Sequence, residues 1–101
     1  MSDLSKTSKN LSDFEGLTPD LEVRLEIFDP QRNSNKFWHV FVYTTYVVRH
    51  WGRHGTKGQR SVHQAWTVWE AHGAALDLVQ QKKNKGYRVE ASVLDRFARE
   101  I

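Results

Sequence analysis

Two runs of β-branched and aromatic residues, Phe37 to Tyr43 and Tyr46 to Val48, are separated by only Thr44-Thr45. Strands joined so closely pair as an antiparallel hairpin, because a parallel return needs a crossover of a dozen or more residues. The join lacks the Gly or Asn that a two-residue turn normally takes, so a looser four-residue loop is the alternative to a tight one. Upstream, Leu21-Glu-Val-Arg-Leu-Glu-Ile-Phe28 alternates apolar and charged residues with period two, which predicts a strand with one wet face. Asp29-Pro30 ends it, and residues 31–35 have loop composition. Gly55 and Gly58 bracket a second turn, after which Ser61 to Trp66 reads as a fourth strand.

The pattern then changes period. Thr67-Val-Trp-Glu70 has the spacing of a capping box, with the Thr67 hydroxyl able to accept from the amide of Glu70. A helix to about Lys85 follows, its narrow stripe of Ala71, Ala75, Leu78 and Val79 small enough to lie close on a sheet. Lys82, Lys83 and Lys85 suit the negative end of its dipole, and Gly86 supplies a left-handed stop. Val93, Leu94, Phe97 and Ile101 have helical spacing and predict a short C-terminal helix. The expected class is therefore α+β: an antiparallel sheet of about four strands packed on one long helix, with a short helix after it. Residues 1–20 are polar, with scattered apolar side chains, and read as a flexible N-terminal tail; residues 21–101 read as a single domain.

At 101 residues the core must hold the domain without staples, because Cys is absent. Four Trp give it area to bury, and Trp38, Trp66 and Trp69 are assigned to core or helix packing. No apolar run approaches the roughly 18 residues of a spanning helix, and the first residues lack a signal peptide's apolar region. The expected location is cytoplasmic, nucleoid-associated if the source is bacterial, with no membrane partner.

Charge is segregated along the chain. Residues 1–29 carry three basic and seven acidic side chains, and residues 70–101 carry six and five. Between Pro30 and Trp69 there are six basic residues and no Asp or Glu. A net charge of +3 thus conceals a strongly positive centre, and local sign is what a polyanion meets. If residues 46–53 form one strand, Val47, Arg49, Trp51 and Arg53 share a face. An indole between two guanidinium groups suits nucleic acid, since Arg pairs with phosphate and indole stacks on an exposed base or sugar. The bland alternative buries Trp51 in the core and leaves the arginines as a solvated rim.

The run Asn35-Lys36-Phe37-Trp38, then Trp51-Gly52-Arg53-His54-Gly55-Thr56-Lys57-Gly58-Gln59, then Lys85-Gly86-Tyr87, resembles the WGR domain, a family named for its Trp-Gly-Arg tripeptide. The resemblance covers about residues 21–90. It implies a sheet with a helix against it. In DNA-damage-responsive poly(ADP-ribose) polymerases such a domain engages DNA at a strand break and passes that state to a catalytic domain. By motif match, the residue set against the DNA end is Trp51, and the one joining neighbouring domains is Arg53.

Other sites read less sharply. Residues 54–59 are either a backbone-amide cradle for a phosphate or a tight turn with Lys57 exposed, and a Walker loop is excluded because a strand follows. Lys82, Lys83, Lys85 and Arg88 are a solvated helix end or a further phosphate contact. His39, His50, His54 and His63 crowd the positive block, but without Cys they would need convergent geometry to hold zinc, and no metal or other cofactor is expected. No nucleophile–base arrangement is evident, so the chain reads as non-enzymatic. The expected function is a stand-alone, monomeric nucleic-acid-binding module, for DNA rather than RNA, with an end, nick or single-stranded stretch. Trp51, Arg53, Arg49, Lys57, Arg60 and Lys36 are its contact residues, and Gly52, Gly55 and Gly58 shape the motif. The competing function is a protein-interaction or regulatory module whose Arg-Trp-Arg face meets an acidic protein, including a separately encoded partner.

Overall fold

The computed structural model describes the backbone of residues 5–6, 11–90 and 94–95. Among these, seven strands form one antiparallel sheet: β1 (Ser5–Lys6), β2 (Leu21–Asp29), β3 (Ser34–Tyr43), β4 (Tyr46–Arg53), β5 (Gln59–Gln64), β6 (Arg88–Val89) and β7 (Leu94–Asp95). The spatial order is β1-β5-β4-β3-β2-β6, with β7 also on β2. The four long strands, β2 to β5, are a simple meander, and the expected α+β architecture is present with more strands than the sequence patterns indicated. The short strands each add two residues to an edge that would otherwise expose unpaired amides and carbonyls.

Leu94–Asp95, placed by spacing in a C-terminal helix, is a strand whose register sets Leu21 opposite Asp95 and Glu22 opposite Leu94. The outer edge of β2 supplies hydrogen-bonding groups that outweigh a weak local helical pattern. Val93, Phe97 and Ile101 lie outside the described residues.

The hairpin between β3 and β4 closes in the tight form, with Tyr43 opposite Tyr46. Thr44 takes φ +55°, the region that usually demands Gly or Asn. Support comes from Asp20, just before β2: its carboxylate accepts from Thr44 N–H at 2.9 Å, and its own amide donates to Val42 O at 2.7 Å. A buried side chain from the segment leading into β2 thus does what the turn sequence does not.

A single helix, α1 (Val68–Asn84), crosses β2, β3 and β4 on one face. Its start is the anticipated cap: Glu70 N–H donates to Thr67 Oγ1 at 3.1 Å, and the Thr67 hydroxyl donates to the Glu70 carboxylate at 3.2 Å. It ends in a Schellman motif. Gly86, at φ +106°, donates to Lys83 O, and Tyr87 N–H donates to Lys82 O. Ala71, Ala75 and Val79 are buried against Leu21, Val23, Leu25, Trp38, Val40, Val42 and Val47, each Leu or Val contributing about 1.5–3 kcal/mol by leaving water.

The opposite face carries a smaller cluster in which Phe14, from a 3₁₀ turn at Leu11–Phe14, packs on Val48, Val62, Phe41, Tyr43 and Tyr46. Two tryptophans depart from their expected place. Trp66 is 82% exposed and Trp69 is 60% exposed, so neither is core. Trp66 follows Ala65, which is buried and fixed by its amide to Thr45 O, and so projects outward; Trp69 lies off the helix's small-residue stripe.

Candidate nucleic-acid interface

Strand parity divides the positive residues between the two faces of the sheet. Register pairs Lys36 with Arg53, Trp38 with Trp51, and Val40 with Arg49, so these side chains share the helix-bearing face. Arg60 pairs with His50 and therefore lies on the other face. The sequence reading grouped Arg60 with Trp51; the structure separates them by one position of register, since Gln59, not Arg60, stands opposite Trp51.

Trp51 is half-buried and packs on the edge of the main core. One side of the indole meets the core, while the rest lines an open groove of about 270 Å³. The groove runs between β4 and the C-terminal half of α1. Its floor is Trp38, Trp51 and Leu78, and its polar lining is Arg49, Gln81, Lys82 and Lys85. Lys82 and Lys85 reach it because they continue the helical stripe Ala71, Ala75, Leu78 at the same spacing. The Lys82 ammonium lies 5.9 Å from the Trp38 ring centre and 5.4 Å from that of Tyr87, which the Schellman turn folds back beside it.

Lys36, Arg49, Lys82 and Lys85 form no ion pair among the described residues. Burial, followed by the charges of Lys85, Arg49 and Lys36, holds the Lys82 ammonium below the usual lysine range. Burial likewise lowers Arg49, whose Nε donates to Ser61 Oγ at 3.2 Å and whose Nη2 lies 3.2 Å from a His63 ring nitrogen.

Arg53 is differently employed. Its guanidinium donates to Asn33 O at 3.2 Å and to Asn33 Oδ1 at 3.0 Å, fastening the left-handed cap of the 3₁₀ turn Pro30–Arg32 to the end of β4. The adjoining turn folds back on the motif. A Cβ on Gly52 would come within 2.7 Å of Gly58 Cα, and one on Gly58 would collide with Trp51 O. Within the turn, His54 N–H donates to Asn35 O, Thr56 N–H to Arg53 O, and His50 Nε2 to Lys57 O. The amides of His54 and Thr56 are thus spent within the fold of the turn, and Lys57 is exposed near its tip.

His39, His50 and His54 gather around Phe37 on the far face, with ring centres 4.9–5.9 Å from it. Burial, then Arg24, lowers the basicity of His39, although Glu90 lies 3.6 Å from its Nε2. Among the described residues, no three His, Asp or Glu side chains converge to hold a metal, and no helix is long and apolar enough to cross a membrane.

The sequence model of the WGR domain matches residues 21–93. The chain belongs to the WGR domain family. This is a family of nucleic-acid-binding modules in poly(ADP-ribose) polymerase-type proteins, and its matched span contains both walls of the groove. An uncharacterized protein of Sinorhizobium fredii is 35% identical over 74 residues, covering 68% of this chain and 36% of its own length. A crystal structure of a Bacteroides fragilis protein is 33% identical with a TM-score of 0.65, covering 69% of this chain and 19% of that one. This WGR domain therefore spans about a third of the first and a fifth of the second.

What sequence reasoning missed is the convergence of Lys82 and Lys85 with Trp51. The signal was present as the helical spacing from Leu78 to Lys82 and Lys85. The face of Arg60 had no such signal, because it depends on how many residues the turn after β4 consumes.

Proposed function

We propose that this WGR domain binds DNA that offers an end, a nick or a single-stranded stretch, in the groove between β4 and α1. The carrying observation is the concentration of positive charge around Trp51: Lys36, Arg49, Lys82 and Lys85 repel one another and find no carboxylate among the described residues. A phosphodiester entering the groove relieves that repulsion while a terminal base or sugar lies on the exposed part of the indole. Continuous duplex presents no such free edge, which is the physical basis for a preference for interrupted DNA. Lys57 extends the phosphate track, and Arg53, with two contacts already made to Asn33, contributes mainly by holding the strand end that carries Trp51. The role is one of binding, without catalysis.

Fluorescence anisotropy with blunt-ended, nicked, covalently closed and single-stranded DNA tests this. Interrupted DNA is expected to bind more tightly than closed duplex, and Trp51→Ala, checked for folding, to lose about 1–3 kcal/mol of affinity if the indole stacks on a base. Equal affinity of the folded variant and the wild type removes Trp51 from the interface. No binding of any form at low salt would turn the same face toward an acidic protein partner.

A further inference from the structure

The helix-free face holds a second cleft, also about 270 Å³, that the groove around Trp51 does not use. Phe14, Phe41, Tyr43 and Val48 wall it, and Glu15, His50 and Arg60 supply its polar edge. We propose that this cleft binds a single nucleotide unit, a planar ring with N–H donors joined to a phosphate, and that guanine is the preferred ring.

Three observations combine. First, the walls are aromatic: Phe41 and Tyr43 are partly exposed on the same face of β3, and the buried Phe14 backs Tyr43, stacked on it at 4.8 Å with an interplanar angle of 27°. Such rings receive a base by stacking, whatever its identity. Second, the two charged residues at the rim do not satisfy each other. Arg60 and Glu15 form no ion pair or hydrogen bond among the described residues, although both line one cleft. Arg60 is thus open to phosphate, and Glu15 offers two acceptor oxygens that match the adjacent ring and amino N–H groups of guanine. Third, His50 is held in place. Its Nε2 donates to Lys57 O at 2.6 Å and its ring packs edge-on to Phe37 at 4.9 Å, so its other nitrogen is fixed rather than free to rotate. The cleft lies just under the roughly 300 Å³ at which small-molecule sites usually begin, which suits one base with its phosphate and nothing larger.

This chemistry has two sources, a free nucleotide or a guanosine at the end of a nucleic-acid strand. The site stands apart from the groove around Trp51, so either can fail alone. Titration of the full chain, followed by amide and side-chain NMR shifts, separates the cases. The ligands are GMP, AMP, UMP, guanosine, inorganic phosphate and a short single strand ending in guanosine. GMP is expected to give saturable shifts at Phe41, Tyr43 and His50. Arg60→Gln weakens GMP about tenfold and guanosine much less. Glu15→Gln removes the preference for GMP over UMP, and Trp51→Ala leaves GMP binding unchanged. Binding of GMP alone assigns a free nucleotide as the ligand; binding of the strand without GMP, lost in Arg60→Gln, assigns a strand end. Absence of saturable binding by both overturns the proposal, as do shifts confined to Trp51 and Lys82, or affinity indifferent to Arg60→Gln.

Discussion

Gly55 and Gly58 occupy the same turn with the same backbone sign, yet their replacement by Ala should have unequal consequences. Gly55 has φ +87° and nothing within 4 Å of an added Cβ. Gly55→Ala therefore costs only the left-handed conformation, about 1 kcal/mol. Gly58 has φ +70°, and its Cβ would strike Trp51 O and come within 2.8 Å of Phe37 Cζ. Neither obstacle yields easily: one is backbone in the β4 ladder, and the other is a buried ring surrounded by histidines. The conformational cost of about 1–2 kcal/mol is then joined by an overpacking cost of about 1–3 kcal/mol, for a total near 3 kcal/mol. Urea unfolding followed by far-ultraviolet circular dichroism measures both variants on one scale. Equal losses for the two, or a Gly58→Ala loss below about 1 kcal/mol, would show that the turn does not rest on the motif strand. Because the turn lies against Gly52 and Trp51, Gly58→Ala should also weaken DNA binding, whereas Gly55→Ala should not.

Thr67→Ala removes the helix cap and should cost about 1 kcal/mol in the same unfolding assay. Asp20→Ala leaves the Thr44 amide without its carboxylate partner at a positive-φ residue, and should cost about 1–3 kcal/mol, with hydrogen exchange of the Thr44 amide accelerated. His39 is less basic in the folded state than in the unfolded chain because of burial and Arg24. The unfolded state therefore takes up a proton first as pH falls below 6.5, so stability should decline in that direction, and His39→Gln should flatten the decline. A slope in the wild type equal to that of the variant would show that another group governs the acid response.

The sequence made the sheet and helix legible because their patterns are local. Leu21 to Ile27 alternates strictly, Thr67 and Glu70 carry the cap, and Gly86 marks the stop, each requiring only a few neighbouring residues. Edge pairing was not legible, since Leu94–Asp95 is a strand only because β2 leaves an edge for it. The same division runs through the site. Parity within β4 places Arg49, Trp51 and Arg53 together, but the turn from His54 to Gly58 decides that Arg60 leaves them. Lys82 and Lys85 join Trp51 through tertiary packing of α1, which no strand pattern contains. Exposure of Trp66 and Trp69 follows from the azimuth of the link and the first helical turn, where aromatic character alone misleads.

The central claim is that β4 and the end of α1 hold one phosphate track, and the salt dependence of binding to a nicked duplex tests it most directly. Wild type should show roughly three to five phosphate contacts, each contributing a slope of about −0.9 in log affinity against log salt. Lys82→Ala/Lys85→Ala, confirmed to be folded, should flatten that slope by about two contacts and weaken binding to nicked duplex. An unchanged slope and affinity in the double variant would contradict the claim and place the DNA elsewhere on the domain.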